Sequence, residues 1–290
     1  MKKFIKSITT LEQRRKIRAV MDGMSQGMEK AAAGCVNILP CSMKVFLKSH
    51  LKVVKKMDYE KSVIVLDVSS SMEQNVRLNS CHKEPETVHW IESFFKSGEV
   101  FFDVGANVGA YSLVAAKCFK GALKVYSFEP SFLNFGQLCH NIYLNGCGET
   151  IVPFNVAFSS KTAVDWFNYR SLTVGGAMHA LGEPKDDFDQ VFTPVFKQPM
   201  LGFTMDDFIV HFSLPVPHHI KIDVDGIEYQ ILQGAVKTLN DSRVQSILLE
   251  LVDGETQITG FLQDKGFVLH ERYPQPGSPL ANCIFKRTAA

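Results

Sequence analysis

The run VFFDVGANVGAYS at residues 100–112 constrains the fold more than any other stretch of the chain. Val100, Phe101 and Phe102 form a short apolar run that ends on Asp103. Gly105, Asn107 and Gly109 follow, and then a helix-forming segment begins. Strand, glycine-rich turn and helix in that order build a βα unit whose turn opens backbone amides toward a ligand at a helix N-terminus. A second run, Phe128-Glu129-Pro130, closes the next predicted strand on an acid. A carboxylate at that place can accept hydrogen bonds from both hydroxyls of a ribose. The two runs together predict a nucleoside site at the carboxyl edge of an α/β sheet.

The rest of the chain alternates in the same rhythm. Strands are expected at 99–104, 124–129, 151–158, 218–224 and 246–252, with helices near 109–119, 131–145, 204–212, 227–240 and 255–265. A helix at 83–95 leads in, and 63–68 reads as a strand. Two further strands, 267–273 and 282–287, are joined by a Pro-Gly turn region, which predicts an antiparallel hairpin on a parallel sheet. Residues 159–200 break the rhythm with alternating patches around Gly175 and Gly176. That stretch reads as an inserted hairpin or meander, a substrate lid with the two glycines as its hinge.

The segment before 63 is different in kind. Residues 1–62 hold 14 Lys and Arg against 5 Asp and Glu, a balance of +9, whereas the remainder balances at −8. Thr9 and Thr10, followed by Glu12 and Gln13, form a capping-box pattern ahead of Leu11, Ile17, Met21, Met24 and Met28. A second helix is expected over 43–57, capped by Ser42. Met43, Phe46, Leu47, Leu51 and Val54 make one face, and Lys44, Lys48, Lys52, Lys55 and Lys56 another. Such a helix either packs on the core with its lysines solvated, the commoner outcome, or makes peripheral contact with an anionic membrane. The domains expected are therefore a basic helical extension, 1–62, and a main domain, 63–290. Seven scattered cysteines without a C-x-x-C pair point to reduced thiols in a cytoplasmic protein. No apolar stretch is long enough to span a bilayer.

Asp103 sits where ligands of open α/β sheets bind. A carboxylate there repels a pyrophosphate and attracts an ammonium group, which opposes a dinucleotide and favours a ligand with an amino-acid moiety. The dinucleotide glycine spacing also fails, since Asn107 and Ala110 stand where glycines are needed. An adenine is expected around Asn155 to Phe158, near the end of the third strand. Asp223 and Asp225 end a central strand, and Glu228 follows one turn on. Acids in a cleft can orient a substrate, remove a proton or hold a divalent cation, but too few oxygens converge here for a metal site. His218 and His219 fall at the other end of that strand and read as structural. His89 and His179 remain distant candidates for a base.

VFFDVGANVG, FEP, GFTMDDFI and HHIKIDVDGIEYQILQGA, with the lead-in KEPETVHWI, resemble in that order the FkbM-type S-adenosylmethionine-dependent methyltransferases. The likeness covers about residues 80–287. It implies a class I, Rossmann-like methyltransferase fold: a mostly parallel seven-stranded sheet with a terminal antiparallel hairpin, here with an N-terminal helical extension. It implies S-adenosyl-L-methionine as cofactor and O-methylation of a hydroxyl on a sugar, glycan or secondary metabolite. Carried over, it makes Asp103, Gly105, Asn107, Gly109, Glu129 and Pro130 cofactor residues, and Asp223 a residue facing cofactor and acceptor. Asp225 departs from the glutamate usual there and has a shorter reach. The base is expected to be Asp223 or Asp225.

Three rivals are weighed against this reading. A nicotinamide-dependent oxidoreductase shares the βαβ logic but conflicts with Asp103 and the glycine spacing. A nucleic-acid methyltransferase conflicts with the −8 balance of the main domain. A catalytically inactive nucleotide-binding module that engages partners through its basic helices is the third. A small-molecule or glycan acceptor is expected, and no nucleic acid.

Overall fold

The computed structural model describes residues 27–28, 30–185 and 190–288. The chain divides into two units, Met1–Lys52 and Val53–Ala290. In the first, residues 30–37 are helical and helix α1 spans Cys41–His50. Of the helix expected from Thr9 onward, residues up to 26 and residue 29 lie outside the described residues, and 27–28 and 30–37 are helical.

The second expected helix stops at His50 rather than 57. Val54–Lys56 forms strand β1 and pairs antiparallel with β2, Val65–Asp67. β-branched Val53 and Val54 favour extended backbone. The pairing also helps bury Met57 and Tyr59, which are 1% and 2% exposed. Residues 53–62 therefore fold with the main unit, and the boundary moves from 62 to 52.

The main unit is built on a seven-stranded sheet of order β12-β13-β11-β10-β3-β4-β5. Its strands are β3 (Val100–Val104), β4 (Lys124–Phe128), β5 (Ile151–Phe154), β10 (His219–Ile222), β11 (Ser246–Val252), β12 (Phe267–Pro274) and β13 (Leu280–Arg287). Within this sheet β13 runs against its neighbours β11 and β12, and the other described pairs are parallel. This is the Rossmann-like arrangement with a terminal antiparallel hairpin. Pro153 is tolerated because β5 lies at the sheet edge.

Strand β3 is buried on both faces. Phe101 joins one apolar layer with Trp90, Leu113, Val125 and Leu248, and Phe102 joins the other with Phe128, Phe208, Ile220 and Leu249. Continuous apolar strands are what a sheet covered on both sides requires. Helices α2 (Pro85–Phe94), α3 (Ala110–Cys118) and α4 (Phe132–Leu144) supply residues to the first layer; α5 (Met205–His211), α6 (Glu228–Gln233) and α7 (Val236–Asn240) supply the second. Pro85 opens α2, and the hydroxyls of Ser131 and Thr204 cap α4 and α5.

Two expected elements are split. The helix expected over 227–240 breaks between α6 and α7 at Gly234, where an added Cβ would stand 2.2 Å from the Ser159 carbonyl oxygen. The strand expected over 151–158 breaks at Asn155, and Ala157–Phe158 (β6) leaves for a second sheet. That sheet has order β6-β9-β7-β8, with β7 (Ala163–Tyr169), β8 (Ala180–Leu181) and β9 (Phe196–Phe203). Of the hairpin or meander expected for the insertion, β7 and β8 form the hairpin, while β9 returns to the other side of β7 and pairs parallel with β6, so the strands do not run as a meander.

His219 is buried at the amino end of β10, as expected of a structural residue. Trp90 Nε1 donates to Ser246 Oγ (2.9 Å), which pairs with His219 Nδ1 (2.7 Å), and His219 Nε2 reaches Glu99 Oε2 (2.9 Å). Serine, histidine and acid stand in a row, but they are 0%, 1% and 7% exposed and lie away from the carboxyl edge of the sheet. Burial works against the Glu99 charge, yet bonds from His219, the Lys96 backbone and Gln245 bring its pKa down to about 2. The row is a satisfied buried network that joins three strands' amino ends to α2.

Candidate active site

A cleft of about 380 Å³ opens at the carboxyl edge of the sheet, within the size range of small-ligand sites. Three strand ends meet there: Val104, Gly105 and Asn107 after β3, Phe128 to Pro130 after β4, and Asp223 to Asp225 after β10. A parallel sheet places all its strand ends on one edge, so residues far apart in sequence converge.

Glu129 is 5% exposed. Its Oε2 accepts the Asn107 N–H and its Oε1 accepts the Ser131 N–H, each at 2.8 Å. Burial pushes its pKa up to about 7, against the lowering effect of those amides and of Arg77. Asn107 adopts φ +50, which turns its amide toward Glu129. Asn155 does not line the cleft. Its Nδ2 donates to the Glu129 and Pro130 carbonyls at 2.8 and 2.9 Å and braces that turn from behind. Val156, Ala157 and Phe158 beyond it do line the cleft.

The glycines answer to the protein's own packing. A Cβ at Gly105 (φ +81) would come within 1.9 Å of the Asp223 carbonyl oxygen, and one at Gly109 (φ +88) within 2.5 Å of Leu138 Cδ1. Gly105 borders the cleft; Gly109 caps α3 away from it.

Asp103 is also not at the cleft surface. It is 1% exposed, and its Oδ2 accepts the Ser112 hydroxyl at 2.5 Å. Its Oδ1 has no hydrogen-bond partner. Burial raises its pKa, opposed by Lys221, which sits beside it in register on β10. The direct contact with a ligand amine that the sequence suggests is therefore replaced by a place beneath the turn. The reason is that Asp103 and Lys221 share the sheet face covered by α3. Lys221 is itself 1% exposed and donates to Asp223 Oδ2 at 2.5 Å. Burial works against the Lys221 charge, whereas the Asp223 side chain is 44% exposed, and their mutual attraction wins: Lys221 is raised and Asp223 lowered.

The insertion closes the opposite wall. Arg77 donates from Nε (2.9 Å) and Nη2 (2.7 Å) to the Gly175 carbonyl. Asn134 Nδ2 and Asn107 Nδ2 both donate to the Gly176 carbonyl, at 3.0 and 2.9 Å, and Gly175 N–H donates to Asn134 Oδ1 at 2.9 Å. The expected hinge at Gly175 and Gly176 is thus a pinned strap over the β3–α3 turn. A hinge needs backbone groups without fixed partners, and the backbone of these two glycines takes part in five hydrogen bonds with side chains. Met178 and His179 follow into the cleft.

His179 is 9% exposed, and burial alone brings its pKa down to about 4, so the ring is neutral near pH 7. Its Nδ1 accepts the Arg170 N–H at 3.3 Å, which places the ring proton on Nε2. Its own backbone N–H donates to Asp225 Oδ2 at 3.1 Å. His89, by contrast, is exposed on α2 beside Ser93, outside the cleft.

The sequence reading missed Arg77, Lys83, Asn134 and Glu250, all of which line the cleft. Glu250 left a signal, as an acid inside the apolar run SILLELV. The other three carry no local motif. Among the described residues no group of three His, Cys, Asp or Glu gathers in a metal-holding arrangement.

The profile described as "Methyltransferase FkbM domain" matches residues 103–269. The hexuronic acid methyltransferase AglP of Haloferax volcanii is 21% identical over 217 residues, covering 70% of this chain and 82% of that protein. A SAM-dependent methyltransferase from Agrobacterium tumefaciens aligns with a TM-score of 0.47 at 10% identity, over 82% of this chain and 71% of its own. A ribosomal protein L11 methylase from Lactobacillus delbrueckii subsp. bulgaricus aligns at 0.45 and 11% identity, over 73% and 81%.

Proposed function

The chain belongs to the FkbM methyltransferase family, and from that premise we propose that it moves the methyl group of S-adenosylmethionine to a hydroxyl of a sugar or glycan. Membership sets aside the nicotinamide-dependent oxidoreductase and the inactive module. The observation that carries the reading is the shared cleft. The β3 and β4 turns, the Asp223–Asp225 segment and the inserted strap open onto one space. The sugar acceptor follows the curated relative, a hexuronic acid methyltransferase.

The lining fits the cofactor chemically. Glu129 offers a carboxylate for the ribose hydroxyls, Phe128, Val156 and Phe158 offer an apolar bed for a base, and Arg77 and Lys83 offer cations for a carboxylate. Asp103 acts from beneath the turn with Lys221. When bound, S-adenosylmethionine supplies an activated sulfonium methyl for in-line displacement.

The protein's own work is alignment and proton handling. A neutral sugar hydroxyl is a poor nucleophile, so a carboxylate must receive its proton as the oxygen attacks. Asp225 takes that role. Asp223 is held as a carboxylate against Lys221 and orients the cleft instead. His179, neutral and protonated on Nε2, is a hydrogen-bond donor to the acceptor and not a base. Phe158, Phe167 and Leu181 add apolar surface to the cleft wall.

Two measurements test the proposal. Incubation with isotopically labelled cofactor and a panel of free uronic acids, neutral sugars, oligosaccharides and RNA should label a sugar hydroxyl as a methyl ether. Label on RNA or protein alone would sink the acceptor assignment. Titration calorimetry tests the ribose site. Glu129 becomes protonated as pH falls through about 7. Cofactor affinity should therefore weaken about tenfold from one unit above that value to one unit below. Glu129→Gln should abolish the pH dependence and weaken binding at every pH, because its amide NH₂ must face one of two backbone donors. A flat profile in the wild-type protein would place the ribose elsewhere.

A further inference from the structure

We infer that helix α1 docks the protein on an anionic lipid surface. The inference does not depend on the acceptor proposed above.

Helix α1, Cys41–His50, buries none of its residues. Met43 and Phe46 are 52% and 58% exposed, and Leu51 just beyond is 69% exposed. Met43, Phe46, Leu47 and His50 recur at i, i+3, i+4 and i+7, which puts them on one side of the helix. The Phe46 and His50 rings stack at 4.2 Å on that side.

Lysines flank the stripe. Lys44 and Lys48 lie one turn apart on the helix, and Lys52 follows just beyond its end. Lys44 donates to the Asn37 carbonyl at 2.7 Å, while Lys48 and Lys52 are exposed. No Asp or Glu occurs between Glu29 and Asp58. An apolar stripe bordered by lysines with no acid nearby matches an anionic membrane interface, where the stripe enters the acyl boundary and the ammonium groups meet headgroup phosphates. A nucleic acid satisfies the lysines and gives Phe46 and Leu51 nothing. A second copy in isologous contact brings lysine against lysine. No described helix is long and apolar enough to cross a membrane, so the contact is peripheral.

The test is flotation of the full-length protein with vesicles of pure phosphatidylcholine, or of phosphatidylcholine containing about 30% phosphatidylglycerol, at low and high salt. Binding is expected to the anionic vesicles at low salt, and release at high salt. Lys48→Ala with Lys52→Ala should lower partitioning about 25-fold, near fivefold for each lysine. Phe46→Ser with Leu51→Ser should lower it at least about tenfold. Both variants should keep the wild-type circular dichroism and cofactor affinity. Absence of binding, equal binding to neutral vesicles, or full binding by the Phe46/Leu51 variant would overturn the inference. So would a dimer, seen by light scattering, that the Phe46/Leu51 variant disperses, since the stripe would then belong to a second copy.

Discussion

Asp225→Asn lowers kcat by about a thousandfold and leaves the Kd for S-adenosylmethionine within about twofold. The amide is nearly isosteric, and its carbonyl oxygen can still accept the His179 N–H that Asp225 Oδ2 receives at 3.1 Å. The strap therefore stays in place and only the proton acceptor is lost. Single-turnover kinetics with a sugar acceptor, beside calorimetry with the cofactor alone, separates the two quantities. Asp223→Asn behaves differently. It removes the partner of a lysine that is 1% exposed, leaving its charge without the 2.5 Å ion pair. The expected result is a lower unfolding midpoint together with weaker cofactor binding. Loss of turnover in Asp223→Asn at unchanged stability, with Asp225→Asn fully active, would reverse the two roles.

Gly105→Ala destabilises the main unit by about 2–5 kcal/mol and removes cofactor binding. Two penalties combine. The residue sits at φ +81, where a Cβ costs about 1–2 kcal/mol. That Cβ would also fall 1.9 Å from the Asp223 carbonyl oxygen, a backbone atom that cannot swing aside. Relief requires the β3 turn to separate from the end of β10, which moves Asp223 and Asp225 with it. Gly98→Ala is the control. It has φ +89 with nothing within 4 Å, so it carries the conformational penalty alone, about 1–2 kcal/mol. Urea unfolding of both variants checks the difference. Equal losses would show that the close approach does not constrain the turn.

Much of the architecture is legible in the residue order. Strands expected at 99–104, 124–129 and 246–252 appear as β3, β4 and β11, and the closing hairpin as β12 and β13. Their apolar runs are short, bounded by turn residues and rich in β-branched and aromatic side chains, signals that need no distant partner. The failures lie where distant backbone intervenes. Ser159 against Gly234 divides a helix pattern that is locally continuous. The pairing of Val54–Lys56 with Val65–Asp67 ends α1 seven residues early.

The candidate site divides along the same line. Glu129, Pro130, Asn107, Asp223 and Asp225 were recognisable because each stands at the carboxyl end of an expected strand or in the turn that follows it, and all five line the cleft. Asp103, at the end of the first expected strand, and Asn155, in the second half of the third, stand behind the cleft instead, one beneath α3 and one bracing the Glu129 turn. Which side of the sheet a side chain meets, and what covers that side, is absent from a strand's own sequence. The acids' charge states also belong to the folded chain. Glu129 is driven up by burial and Asp223 down by a buried lysine, effects of desolvation and ion pairing that appear only when other strands close around them.

The sequence by itself determined the strand–turn–helix grammar and the family, because backbone preference and strand-end position are local properties. Tertiary structure alone decided that Arg77, Asn107 and Asn134 pin the inserted strap, that Asp223 is spoken for by Lys221, and that Asp225 faces the cleft beside His179. Those assignments depend on distances between elements far apart in the chain, and packing sets such distances where residue order does not.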